Sequence, residues 1–150
     1  MVLFTFTISG SAPASPPGSP GALAGDTALR DWALSSVDGD LEISPADGDS
    51  VWVTGAAGVA SDQQSRVSTW LGEWFWDTSL GFDYDEVLGK SLGEAKFRRA
   101  LEAVAGAAPG TVSVTVSSVT FDRNARSLAA QYESVCDTGE VITASVQAGG

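Results

Sequence analysis

The chain contains no histidine and one cysteine, Cys136, in 150 residues. Without histidine there is no Ser–His or Cys–His nucleophile pair, no imidazole metal ligand and no side chain poised to titrate near neutrality. A lone cysteine makes no internal disulfide and builds no thiolate metal site. Positive charge is scarce too: eight Lys and Arg stand against nineteen Asp and Glu, for a formal net charge of −11. Nucleic acids and anionic membranes are bound through basic footprints, so neither is expected as a partner. No apolar run approaches the roughly 18 residues of a membrane span. The hydrophobic start over Val2–Ile8 has no basic residue near it, the first being Arg30, and a secretory signal wants a positive start, so none is expected.

What is present is a globular composition, 43% apolar with 18% charged residues, of a size for one domain with an appendage. Val2–Ile8 (V-L-F-T-F-T-I) has β propensity and partial alternation. Ser9 to Gly25, with Pro13, Pro16, Pro17 and Pro20 among Gly, Ser and Ala, has linker composition. Residues 1–25 therefore read as an extended arm and 26–150 as the domain. An apolar strand on a tether can add to a neighbour's sheet edge or pair within its own fold.

From Asp26 to Thr54 short strands alternate with turns. Trp32 and Leu34, Leu41 and Ile43, and Val51 and Val53 alternate, separated by Asp38-Gly39-Asp40 and Asp47-Gly48-Asp49, and Asp-Gly between alternating runs signals hairpins. These aspartates lack the spacing and terminal glutamate of an EF-hand loop, so no metal is expected. Ala60, Gln64, Val67, Trp70 and Leu71 recur at helical steps, with Gly72 as the expected stop. Glu73-Trp74-Phe75-Trp76-Asp77 follows. Read as a strand, it puts Trp74 and Trp76 on one face and Phe75 on the other, which fits either a central core strand or a partner surface.

A short helical piece is expected before Lys90. Ser91-Leu92-Gly93-Glu94 fits a capping box that opens a helix with Phe97, Leu101, Val104 and Ala105 on one face. Gly106 and Pro109-Gly110 end it. The C-terminal third reads as a meander. Val112, Val114 and Val116 alternate, and Val119 and Phe121 continue out of step after Ser117-Ser118, which predicts a β-bulge. Arg126–Val135 and Val141–Val146 are the next strands, joined at Asp137-Thr138-Gly139. The fold class is α+β: N-terminal β-hairpins, two helices, a three-stranded antiparallel meander and an extended N-terminal arm.

Catalysis in this chain would rest on carboxylates. Glu73 among tryptophans as the acid, with Asp83 or Asp85 as the second carboxylate, would imitate a glycosidase site, although so acidic a chain offers such a pair in any window. Glu73 fits better as a structural residue that caps a turn or pairs with an arginine. The cations gather around the second helix, at Lys90, Lys96, Arg98 and Arg99, and at the first meander turn, at Arg123 and Arg126, while Asp26–Asp49 is acidic. Opposite-signed ends favour ordered contacts between subunits, or are solvated surface.

The segments D-G-D-L-E-I (Asp38–Ile43), V-T-G (Val53–Gly55), R-V-S-T-W-L-G-E-W-F-W-D (Arg66–Asp77), L-G-F-D-Y (Leu80–Tyr84) and V-L-G-K (Val87–Lys90) resemble the baseplate protein family of Mu-like phages. That family is related to the T-even baseplate wedge protein labelled "lysozyme-like". The C-terminal strand with Asp122, Arg126, Leu128 and the Gly139 turn is similar as well. The resemblance spans Asp26 to Val146, and its most specific block is Leu-Gly-Glu-Trp-Phe followed by Gly81. It implies a non-enzymatic subunit of the inner baseplate of a contractile tail, in six copies around the tube. Its implied partners are other wedge proteins, sheath and tube-proximal hub proteins, and its sheet can seed the sheath. It also implies synthesis in the host cytoplasm, residence in the virion and no cofactor. Relatives nearer the T-even protein carry Glu-Pro-Arg on a sheet strand; this chain does not, and Arg123 or Arg126 is the candidate replacement for its arginine. The expected interface is Val2, Phe4 and Phe6 of the arm with Trp74, Trp76, Arg123 and Arg126. A lysozyme-like peptidoglycan glycosidase and a small single-partner binding module are the alternatives.

Overall fold

In β5 (Ser127–Cys136) every second residue from Leu128 to Cys136 is buried and the residues between them are exposed, the mark of a strand with one face on a core. The computed structural model describes residues 2–9, 30–33, 41–46, 48–89, 94–122, 124 and 127–149. Strand β5 pairs antiparallel with β4 (Thr111–Asp122) on one side and β6 (Val141–Gly149) on the other, so the expected meander is present. Its first strand carries a register shift between Val116 and Ser118, where the alternation of valines slips in the sequence.

A fourth strand joins this sheet. β1 (Val2–Ser9) runs antiparallel to β6, from Val2 opposite Ala148 to Ser9 opposite Val141. The sheet order is β1-β6-β5-β4. The arm strand is thus paired within its own chain.

Two short strands, β2 (Arg30–Trp32) and β3 (Trp52–Thr54), form a separate antiparallel ribbon. Its ladder continues inward through Ala33 N–H to Val51 O and Val51 N–H to Glu42 O, and it closes at Gly48, whose φ is 76°. Of the second expected turn, Asp47-Gly48-Asp49, the described residues Gly48 and Asp49 lie where the chain reverses, bonded to Ser44; Asp47 and the first turn, Asp38-Gly39-Asp40, lie outside the described residues. Leu41 and Ile43 are exposed, and Ile43 makes only an isolated bridge to Ser50.

Among the described residues there are three helices, α1 (Ala56–Ser68), α2 (Tyr84–Gly89) and α3 (Glu94–Gly106), of which α1 and α3 pack on the large sheet. α3 buries Phe97, Leu101 and Ala105 against Val116, Leu128, Ala130, Tyr132, Ala144 and Val146 of the sheet. Full burial of each Phe or Leu contributes about 1.5–3 kcal/mol. The start of α1 makes a second cluster in which Ala56, Val59 and Ala60 meet Cys136 and Ile142. Ala60, Gln64 and Val67 are buried as their spacing predicts. The helix nevertheless ends at Ser68, before Trp70 and Leu71. Thr69 turns to an extended conformation (φ −85°, ψ 137°) with its amide and hydroxyl both on Ser65 O. The capping box at Ser91 lies outside the described residues.

Candidate interaction surface

The chain leaving α1 is clamped to the chain entering α2. Phe82 N–H donates to Thr69 O at 2.8 Å and Leu71 N–H to Phe82 O at 3.0 Å, forming a short parallel bridge between Trp70 and Phe82. Gly81 makes this closure possible. Its φ is +117°, and a Cβ there would lie 2.7 Å from both Trp70 C and O, far inside contact distance, so only glycine fits. Beneath the bridge, Phe82 and Tyr84 are buried with ring centroids 4.8 Å apart, and tilted ring contacts run from Tyr84 to Trp70 at 5.3 Å and from Phe82 to Phe97 at 5.6 Å. Tyr84 donates its hydroxyl to Val67 O. The loop stands on part of the core.

Between these anchors residues 71–80 form consecutive turns rather than a strand. Glu73 N–H bonds Trp70 O at 3.0 Å, Asp77 N–H bonds Trp74 O at 3.1 Å and Leu80 N–H bonds Asp77 O at 3.2 Å. Gly72, at φ +85°, supplies the left-handed residue that begins them. The two-faced strand expected for 73–77 is therefore corrected: i-to-i+3 turns replace the alternation. All three aromatics of the run are exposed, Trp74 at 49%, Phe75 at 73% and Trp76 at 76%. Phe75 and Trp76 stack at 3.8 Å and Trp74 reaches Trp76 at 6.0 Å. Trp70 and Leu71 extend the apolar surface. The rings form a contiguous exposed aromatic patch on a folded base.

The carboxylates of this region serve the turns. Glu73 Oε2 accepts the Trp70 N–H at 3.0 Å. Asp77 Oδ1 accepts from Ser79 N–H at 3.0 Å and from its hydroxyl, and these bonds hold the Asp77 carboxyl below its ordinary pKa. Asp83 Oδ1 accepts the Glu86 N–H at 2.9 Å at the head of α2. From Trp70 to Glu86 there are five carboxylates and no Lys or Arg. Among the described residues no group of three His, Cys, Asp or Glu is placed to hold a metal ion, and no helix is long and apolar enough to cross a membrane.

Of the residues expected at the interface, Trp74 and Trp76 sit together on the loop. Val2, Phe4 and Phe6 fall at alternate positions of β1, opposite Ala148, Val146 and Ala144. Arg123 and Arg126 lie outside the described residues, between β4 and β5. The expected interface left out Phe75, because a strand reading put it on the face opposite Trp74 and Trp76. It also passed over a second exposed pair: Trp32 and Trp52 face each other across the β2–β3 ribbon, stacked at 3.8 Å and each 40% exposed. Their places on either side of a segment punctuated by two Asp-Gly turns were the available signal.

A family model described as the contractile injection system sheath initiator matches residues 30–139, well over half of the chain. No curated protein matches it.

Proposed function

The chain belongs to the contractile injection system sheath initiator family, and from that premise we propose that it is a structural, non-enzymatic subunit of the inner baseplate. Membership gives it a part in sheath assembly and a place in a contractile tail or its baseplate. The finer reading is that it joins wedge proteins around the tail tube, in six copies, and offers the growing sheath its first docking site. In this reading it is made in the host cytoplasm and carried into the virion.

The observation that carries this reading is the aromatic loop. Trp74, Phe75 and Trp76 expose large apolar rings on a base held by Gly81, Phe82 and Tyr84. Such rings are costly to leave in water and are enriched at the buried centres of interfaces. The acids around them, Glu73, Asp77, Asp83, Asp85 and Glu86, call for a partner with an apolar pocket rimmed by Lys or Arg. Glu73 spends its carboxylate on the Trp70 amide in an exposed turn, which supports a turn-building role over the glycosidase reading.

The test is co-expression with the neighbouring tail proteins, comparing the parent with Trp74→Ala/Trp76→Ala. Co-elution with wedge or sheath proteins is expected for the parent and its loss for the variant, with the variant still folded by circular dichroism. A variant that assembles as well as the parent removes the loop from the interface. Peptidoglycan cleavage that disappears in Glu73→Gln would replace the scaffold reading with the enzyme.

A further inference from the structure

Strand β4 is one edge of the four-stranded sheet. An edge strand offers a row of unpaired N–H and C=O groups to any extended chain that meets it. In the middle of β4 the place is taken. Both backbone polar groups of Val116, the residue at the register shift, are held by side chains of α3: Arg98 Nη1 donates to Val116 O, and Glu102 Oε1 accepts the Val116 N–H at 3.3 Å. Arg98 and Glu102 are one turn apart and reach the edge together. Glu94, a further turn back, accepts from Arg98 Nε at 3.0 Å and Nη2 at 2.8 Å and fixes the guanidinium. The order along the helix is anion, cation, anion. The cation meets the carbonyl and the second anion meets the amide, which imitates the two hydrogen bonds a neighbouring strand would make. α3 is pinned in the core by Phe97, Leu101 and Ala105, so the helix that carries the clamp is fixed against the sheet.

The opposite edge differs. β1 reads V-L-F-T-F-T-I-S, with no charge and no proline, the devices that ordinarily protect an edge. Among the described residues it pairs with β6 alone.

We propose that the Arg98–Glu102 clamp on Val116 closes the middle of the β4 edge to strand addition by a second copy of this chain. This does not depend on the assembly role proposed above, and it is tested on this chain alone.

The experiment compares the purified parent, Arg98→Ala/Glu102→Ala and the conservative Arg98→Lys/Glu102→Gln by analytical ultracentrifugation over a wide concentration range. Residue-resolved amide exchange is followed on the same samples. In the parent and the conservative variant the Val116 amide is expected to exchange slowly and β4 to gain no protection with concentration. In the alanine variant that amide is expected to exchange about tenfold faster or more when dilute, the scale of a lost charge-assisted hydrogen bond. Self-association should then appear with rising concentration, with new protection along β4. Unchanged circular dichroism and thermal midpoint certify the fold, and the single Arg98→Ala substitutes if the double variant fails to fold. A folded alanine variant that stays monomeric at every concentration overturns the clamp. So does a parent that itself gains protection along β4 on association. Neither result touches the sheath reading, which fails separately if tail proteins do not co-elute.

Discussion

Gln63 and Ser134 exchange two hydrogen bonds inside the domain: Gln63 Nε2 donates to Ser134 Oγ at 3.1 Å, and the same hydroxyl donates to Gln63 Oε1 at 3.2 Å. Nε2 also reaches Thr111 Oγ1 at 3.0 Å, and Oε1 accepts the Tyr132 hydroxyl at 3.2 Å. One fully buried amide thereby joins α1 to the start of β4 and to the middle of β5. Gln63→Leu takes the amide away from three hydroxyls at once and is expected to cost about 2–4 kcal/mol, read as a lower urea midpoint. Ser134→Ala is expected to cost about 1 kcal/mol, and the pair should be clearly non-additive in a double-mutant cycle.

Phe75→Ala and Trp76→Ala remove rings that are mostly in water. Each is expected to leave the stability of the free chain within about 0.5 kcal/mol of the parent, while Phe82→Ala, at the buried base of the same loop, should cost about 3–5 kcal/mol. Chemical denaturation of the three variants separates display from support. Equal losses at all three positions would make the loop part of the core.

Gly81→Ala tests the closure. The added methyl meets the Trp70 carbonyl carbon and oxygen, and the φ of +117° is hostile to any L side chain. A loss of at least about 1–3 kcal/mol is expected, with changed tryptophan fluorescence as the aromatic turns shift. Gly72→Ala meets no atom within 4 Å and carries only the cost of its positive φ, about 1 kcal/mol.

The alkaline limb of stability is set by buried acids. Burial raises the pKa of both tyrosines, Tyr84 and Tyr132, above their ordinary 10.0. It also pushes the Cys136 thiol from 9.0 up to about 11, with Glu140 and Asp137 adding to the shift. Each group holds its proton more tightly folded than unfolded, so the unfolded chain loses protons first as pH rises. On the alkaline side, stability is expected to be level near neutrality, to begin falling as unfolded Cys136 ionises around pH 9.0, and to fall more steeply above 10.0. Phenolate absorbance should appear together with the loss of circular dichroism; phenolate in a still-folded chain would contradict this.

The meander, its bulge and the α3 face were legible in the sequence because their signals are local. Alternation places Leu128, Ala130 and Tyr132 on one face whatever else surrounds them, and the slip at Ser117-Ser118 announces a register shift. The helical spacing of Phe97, Leu101 and Ala105 is of the same kind. The aromatic run at Trp74–Trp76 was legible as the unusual stretch, and so was the likeness to baseplate proteins that the sheath initiator match meets at the level of the contractile system.

What the tertiary structure decided is everything that depends on a distant partner. Periodicity carries α1 on to Leu71, but Thr69 and Leu71 bond to Phe82, more than ten residues away, and the helix stops. The run of rings was open to a core strand or to a surface, and only its two anchors place it outside. Gln63, Arg98 and Glu102 are polar helix residues with no local mark of their roles. They acquire them because the sheet they face brings Ser134 and Val116 within hydrogen-bond reach.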